Sequence, residues 1–320
     1  MITTVTLNPA IDKTVEINSF AVNSVNRISS VRLDVGGKGI NVSKVLLNLD
    51  GRSRAVGILA GKAGEYIRQY LDEAGIENDF IFVPGETRTN LKVVDQTKHT
   101  NTDINEIGLE VTAGDMERVK EKVLRDLDAH SVVVFSGSVP RNVNADVYRQ
   151  WIEAVNKAGA RTILDADGEL FKQGIEAGPY LIKPNIHELE NWLDRKINTM
   201  PEIAATARRL MQQYGIAVVV VSLGEKGALF VNQDGAIWAH GICVEVKSTV
   251  GAGDSMVAAL AYALDAGYSW EKAISLAVAA GTANVMTAGT EPSSLAAVQE
   301  LEKQVTWEYL LDDTKIEVGM

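Results

Sequence analysis

The sequence predicts an α/β protein with a mostly parallel sheet flanked by helices and a small β-sheet lid. Three observations carry that reading: short apolar runs of strand length recur along the chain, segments of helical period lie between them, and two polar stretches break the order. Strands that alternate with helices enforce right-handed crossovers, which lay the strands parallel and cover both faces of the sheet.

The apolar runs are residues 2–7, 132–135, 162–164, 180–182 and 217–221, each of the kind shown by buried strands. Between them, Val42, Val45, Leu46 and Leu49 follow the spacing i, i+3, i+4, i+7, as do Tyr148, Trp151, Ile152 and Val155. Ile203, Ala207, Leu210 and Tyr214 follow it approximately. That period lines one face of a helix. Residues 13–35 and 85–105 instead carry short alternating runs such as Leu91-Lys92-Val93-Val94 among many polar residues. They read as strands outside the main sheet, hinged as a lid over its carboxyl edge, where ligands bind in open α/β sheets; the alternative is a pair of surface hairpins without function. No repeat or linker divides the chain, so residues 1–320 read as one domain, and the acidic tail, residues 306–320, has no pattern that assigns it an element.

With 46% hydrophobic and 23% charged residues, the 320-residue chain can bury one large core. Its single cysteine, Cys243, excludes an internal disulfide framework, and the opening Met1-Ile2-Thr3-Thr4-Val5 lacks the pattern of a signal peptide, which points to the cytoplasm. No apolar run approaches the roughly 18–20 residues that cross a bilayer. A formal charge of −11 argues against nucleic acid or an anionic membrane as partner. An anionic small molecule would have to be held by a few local cations.

Several familiar signatures are missing: a G-x-x-x-x-G-K-[ST] loop, a G-x-G-x-x-G turn after the first strand, and H-E-x-x-H. Hydride transfer, zinc hydrolysis and nucleophile-triad chemistry therefore lose support. What remains is a set of glycine-rich turns. Thr249-Val250-Gly251-Ala252-Gly253-Asp254 precedes an alanine-rich apolar run that reads as a buried helix starting near Asp254. Backbone N–H groups at such a start suit a phosphoryl group, and a carboxylate placed among them suits a base that takes a proton from an attacking hydroxyl. Asp254 reads equally well as a simple N-cap.

Ser222-Leu223-Gly224-Glu225-Lys226-Gly227 follows the run 217–221 and brings main-chain N–H groups toward a nucleotide, or is only a β-turn. Lys183-Pro184-Asn185-Ile186-His187-Glu188 places an amide and a carboxylate three apart, either as oxygen ligands for magnesium or as a capping box. Asn8-Pro9-Ala10-Ile11-Asp12 closes the first strand and Gly36-Gly37-Lys38-Gly39-Ile40-Asn41 opens the first long helix. Asp12 and Asn41 can pair with sugar hydroxyls. Arg88, with Lys38 and Arg27 as helpers, can grip a phosphate, although each is singly also a surface charge.

Taken in chain order, these motifs together with Ser136-Gly137-Ser138-Val139-Pro140 resemble the ribokinase (PfkB) family of carbohydrate kinases over nearly the whole chain. The opening residues 4–12 and the segment 87–92 resemble the branch that holds 1-phosphofructokinase and tagatose-6-phosphate kinase, and Thr102-Asp103-Ile104-Asn105-Glu106-Ile107-Gly108 looks closer to the former. The resemblance implies a ribokinase-like fold and ATP-dependent phosphorylation of D-fructose 1-phosphate. In it Asp254 is the base, and Gly251, Ala252 and Gly253 stabilise the transferring phosphoryl. It further implies Mg2+ oriented by Asn185 and Glu188, and ATP lined by Lys183, Ser222, Gly224 and Gly227, with Lys247, Thr249 and Asn284 near it. The sugar phosphate would be held by Asp12, Gly37, Lys38, Asn41 and Arg88, with Ser138 close by. A homodimer formed through the lid is also implied. The rivals are tagatose 6-phosphate or fructose 6-phosphate as substrate, and a silent sugar-phosphate sensor, which would normally have lost the base.

Overall fold

The strand Val132–Ser136 sets the layers of the molecule. Val132 and Val134 pack into one apolar cluster, Val133 and Phe135 into another, and all four are fully buried. Successive strand residues point to opposite faces, so a strand apolar at every position has to be covered on both. Val218 and Val220 divide from Val219 and Val221 in the same way. One face is covered by the helices Lys38–Asn48, Ala252–Ala266, Trp270–Val285 and Leu295–Glu302, and the other by Ala113–Leu124, Val147–Lys157, Gly168–Gly174 and Met200–Tyr214. The structure, a computed structural model, describes residues 1–287, 289 and 291–310. Among these no helix is long and apolar enough to cross a membrane.

The main sheet has ten strands in the order Trp307–Leu310, Gly235–Ala239, Ala228–Asn232, Val218–Ser222, Leu181–Ile182, Arg161–Asp165, Val132–Ser136, Ile2–Thr6, Ser53–Ala60 and Glu77–Val83. From Val218–Ser222 to Glu77–Val83 every pairing is parallel, and the first three strands add an antiparallel edge. The predicted fold class is therefore the observed one. The antiparallel edge was not anticipated: it is a hairpin turned by Asn232, whose Oδ1 accepts from the N–H groups of Asp234 and Gly235, plus Trp307–Leu310 from the acidic tail. Residues 311–320 of that tail lie outside the described residues. From Ile2–Thr6 the chain builds outward through Ser53–Ala60 to Glu77–Val83, then returns to Val132–Ser136 and builds the other way. The order reverses between Ile2–Thr6 and Val132–Ser136, and the carboxyl ends of such a pair frame a binding crevice.

A second sheet orders Ile28–Gly36, Ala10–Ile17, Arg88–Asp95 and Thr100–Asn105. Its strands occupy most of the two polar stretches. Register places Val15, Val31 and Val93 on one face with Leu33, Leu91 and Ile104, while Asp12, Asn90 and Asn105 share the other. The apolar face stays partly open, with Val31 54%, Leu33 48% and Ile104 54% exposed.

Where the chain returns from this sheet, the helix Lys38–Asn48 begins pressed against the end of Ile2–Thr6. A Cβ on Gly39 would stand 2.5 Å from the carbonyl oxygen of Val5 and from Thr6 Oγ1. Gly39→Ala therefore forces the helix off the strand. It should cost about 1–3 kcal/mol in urea denaturation, the usual price of overpacking; an unchanged midpoint would show that the close approach is dispensable.

Candidate active site

Gly251, at φ +87°, caps the helix Ala252–Ala266, whose first bonded turn closes from Ser255 N–H to the Gly251 carbonyl at 2.8 Å. The helix thus starts two residues before Asp254. The N–H groups of its first turn, Ala252 and Gly253 among them, have no intrahelical acceptor. Asp254 is not the N-cap, and its side chain makes no capping bond. Its Oδ2 instead accepts from Asn41 Nδ2 at 2.8 Å, a contact between residues 213 apart in the chain. Asn41, read as a sugar contact, is thus placed on the candidate base.

Asp254 is only 7% exposed. Burial, seconded by the negative charge of Asp165, pushes its carboxyl from the usual 3.8 up to about 6, against the pull of Lys38, the Asn41 hydrogen bond and Lys183. The helix N-terminus favours the anion, but desolvation wins.

Asp165, at the end of Arg161–Asp165, is the centre of the charge arrangement. Lys183 Nζ lies 3.2 Å and Lys38 Nζ 3.4 Å from its carboxylate. Burial alone would raise the Asp165 carboxyl, yet the two lysines hold it below the usual range, and Asp165 in turn holds Lys38 above its own. Two ammonium groups on one carboxylate leave a positive charge over. Lys183 sets it beside the Gly251–Asp254 turn, since a Cβ on Gly253 would stand 3.2 Å from its Nζ.

Asn185 and Glu188 form the capping box. Asn185 Oδ1 accepts from the Glu188 N–H, and Glu188 Oε2 from the Asn185 N–H, each at 2.9 Å. Burial raises the Glu188 carboxyl. A bridge pairs Asn185 with Ser222, so the capping box and the Ser222–Gly227 turn lie side by side. Gly224 is exposed on that turn, and Gly227 packs where any side chain would strike the Ala239 carbonyl. Lys247 and Thr249 are exposed on the segment leading to Gly251, whereas Asn284, 2% exposed, is buried against Gly251.

The crevice at the strand reversal holds a cavity of about 360 Å³. Gly37, Lys38, Arg88 and Ser138 line it as the sequence suggests, and Asn105, Ser136 and Asp167 join them. Arg88 donates from Nη1 to the Glu106 carbonyl and from Nη2 to the Asn8 carbonyl, both at 3.1 Å, while its buried Nε has no partner among the described residues. Asn8 in turn donates to Ser138 Oγ at 3.2 Å. Asp12 is not among the lining residues: its Oδ1 accepts from Asn90 Nδ2 at 2.8 Å, and burial raises its carboxyl. Arg27 is exposed and is not among the lining residues either. A larger groove of about 480 Å³ beside the edge strand Glu77–Val83 gathers none of these residues, and its Lys122 and Arg125 pair with Asp79.

Asp165, Asp167 and Asn105 escaped sequence reasoning. The signal for the first two was present: Asp165-Ala166-Asp167-Gly168 follows directly on the apolar run 162–164, which puts two carboxylates at the carboxyl edge of a central strand.

The model of the pfkB family carbohydrate kinases matches residues 5–297. The chain belongs to this family. It is similar to the 1-phosphofructokinase of Borreliella burgdorferi, with 35% identity over 95% of this chain and 96% of that protein. To the 1-phosphofructokinase of Escherichia coli K12 the identity is 40%, over 87% of this chain and 88% of that one. The structure of phosphofructokinase-2 from Escherichia coli in complex with fructose-6-phosphate superposes with a TM-score of 0.87 at 27% identity, covering 95% of this chain and 98% of that one. As a pfkB carbohydrate kinase the protein is an enzyme that transfers phosphate from ATP to a sugar hydroxyl.

In this kinase the buried Asp254 carries a stability cost. Its folded carboxyl binds a proton more tightly than the unfolded one, so the contribution of this group to stability is greatest below 3.8 and is lost as pH rises toward about 6. At about 1.36 kcal/mol per pH unit the full loss is about 3 kcal/mol. Asp254→Asn should therefore be more stable than the wild type at pH 8 by up to that amount, with the gap closing near pH 4 in paired urea titrations. A gap independent of pH would contradict the burial argument.

Proposed function

We propose that the enzyme phosphorylates D-fructose 1-phosphate at its C6 hydroxyl, giving fructose 1,6-bisphosphate and ADP. The observation that carries the chemistry is a buried carboxylate, raised to about 6, in the first turn of a helix whose N–H groups and neighbouring Lys183 suit a phosphoryl anion. The relatives named 1-phosphofructokinase support the sugar.

Asp254 takes the C6 hydroxyl proton as that oxygen bonds to the γ-phosphorus and the bond to the bridging oxygen of ADP breaks in line. The first-turn N–H groups of Ala252 and Gly253 hold the equatorial oxygens, with Gly251 shaping the turn and Lys183 alongside. Arg88, fixed by two carbonyl oxygens, and Lys38 hold the 1-phosphate in the cavity with Ser138 and the Gly37 backbone, and Asp12 supports the small sheet above it. Ser222, Gly224 and Gly227 line the nucleotide, Lys247 and Thr249 flank it, and Asn284 braces the Gly251 turn from behind.

The residues fit a hydrated magnesium ion. Among the described residues no group of three or more His, Cys, Asp or Glu could cage a bare metal. Magnesium keeps most of its water, however, and needs only one or two carboxylates plus substrate phosphates. Asn185 and Glu188, beside the nucleotide turn, would hold it through water, and when bound it neutralises charge on the β- and γ-phosphates.

The polar face of the small sheet, which supplies Arg88 and Asn105, closes over the sugar as a lid. Its partly open apolar face, with Val31, Leu33 and Ile104, suits a second copy of the chain, so the proposed assembly is a homodimer through the lid.

The rival acceptors are tagatose 6-phosphate and fructose 6-phosphate, the latter bound by a similar structure. Initial rates of ADP formation at saturating Mg-ATP should show kcat/KM for fructose 1-phosphate about a hundredfold or more above either rival and above fructose. Asp254→Ala should lower kcat at least about a hundredfold with ATP binding kept. A preference for tagatose 6-phosphate would overturn the sugar and keep the mechanism, whereas near-normal turnover in Asp254→Ala would overturn the mechanism.

A further inference from the structure

Asn41 enters the site as part of a rigid construction rather than as a loose polar side chain. It lies one turn into the helix Lys38–Asn48, with its N–H bonded to the Gly37 carbonyl at 2.9 Å, and the start of that helix is pinned by the contact of Gly39 with Val5 and Thr6. Lys38, three residues earlier on the same face, reaches Asp165. Asn41 is 8% exposed, and its Nδ2 meets Asp254 Oδ2 at 2.8 Å. Its Oδ1 is buried without a partner among the described residues.

A carboxylate only accepts hydrogen bonds, so the amide has to turn its nitrogen toward Asp254. That choice leaves the amide oxygen unpaired in a buried place, a loss the fold tolerates only against some gain elsewhere. One carboxylate oxygen is thereby fixed, which leaves Oδ1 as the oxygen without this bond for an incoming hydroxyl. We propose that Asn41 is the positioning residue of the base, holding Asp254 in one rotamer so that Oδ1 faces the acceptor hydroxyl. The inference rests on Asp254 being the base and adds to it that the second oxygen is held by Asn41.

A donated hydrogen bond favours the ionised carboxylate, so its loss should make Asp254 harder to ionise. The other charges facing Asp254 are Asp165 on its strand, Lys38 and Lys44 on Asn41's own helix, and Lys183 after Leu181–Ile182. None of them changes when Asn41 is replaced.

The experiment measures kcat, both KM values and the pH dependence of kcat for wild type, Asn41→Asp and Asn41→Ala, with Asp254→Asn alongside. Asn41→Asp is isosteric and tests the site without a packing defect. The acidic limb of kcat should move upward by about one pH unit or more in both Asn41 variants, further in Asn41→Asp, where two carboxylates share the site. At neutral pH kcat should fall about tenfold or more, with part of the loss recovered at higher pH and the KM for ATP unchanged. If the limb and kcat stay at wild-type values and only the sugar phosphate KM rises, Asn41 is a substrate ligand and the inference is overturned. If Asp254→Asn itself keeps wild-type turnover, the reading of the base fails first, and the two failures are separable.

Discussion

An ionisable carboxyl kept out of water at the start of an apolar helix is the constraint on which the rest of the site depends. Ala252–Ala266 is buried along most of its length, so Asp254 enters the core by chain connectivity rather than by affinity for it. The surroundings offset that cost incompletely. One amide donates to it, Lys38 and Lys183 lie near, and Asp165 works against ionisation. The balance leaves a carboxyl poised close to neutrality, as a general base requires.

Asp165 makes this balance possible. It adds to burial in opposing ionisation of Asp254, and it takes up one of the two lysine charges, so that in the proposed reaction one positive charge remains for an incoming phosphate. The arrangement also reconciles a chain of formal charge −11 with an anionic substrate. In the proposed reaction capture depends on a few buried or half-buried cations in the crevice rather than on the field of the whole molecule. Sheet topology supplies the place, since the reversal between Ile2–Thr6 and Val132–Ser136 opens the crevice and the small sheet brings Arg88 over it.

How much of this was legible follows from what each residue does locally. The central strands declared themselves because burial on both faces demands uninterrupted apolar runs. The hairpin Ala228–Asn232 and Gly235–Ala239 carried a turn signal in Asp234-Gly235, yet it fell outside the strand–helix alternation and passed unread. Gly251 to Asp254 announced a glycine turn into a buried helix because glycine, alanine run and carboxylate are contiguous. The capping box at Asn185 and Glu188 was equally local, and the structure keeps it beside its proposed metal role. Asp165 was hidden because a carboxylate after a strand looks like any turn residue until the two lysines are seen converging on it. The Asn41 contact was hidden for a different reason: helical spacing gives its face, and only tertiary packing gives its partner.

The measurement closest to the centre of this account is the titration of Asp254 itself, followed in the intact wild-type protein by infrared difference spectroscopy of the carboxyl C=O stretch, with Asp254→Asn subtracted. The account predicts a midpoint near pH 6 in the absence of substrate. A midpoint near 4, the value of a solvated aspartate, would contradict it, because the carboxyl would then be neither desolvated nor poised to take a proton.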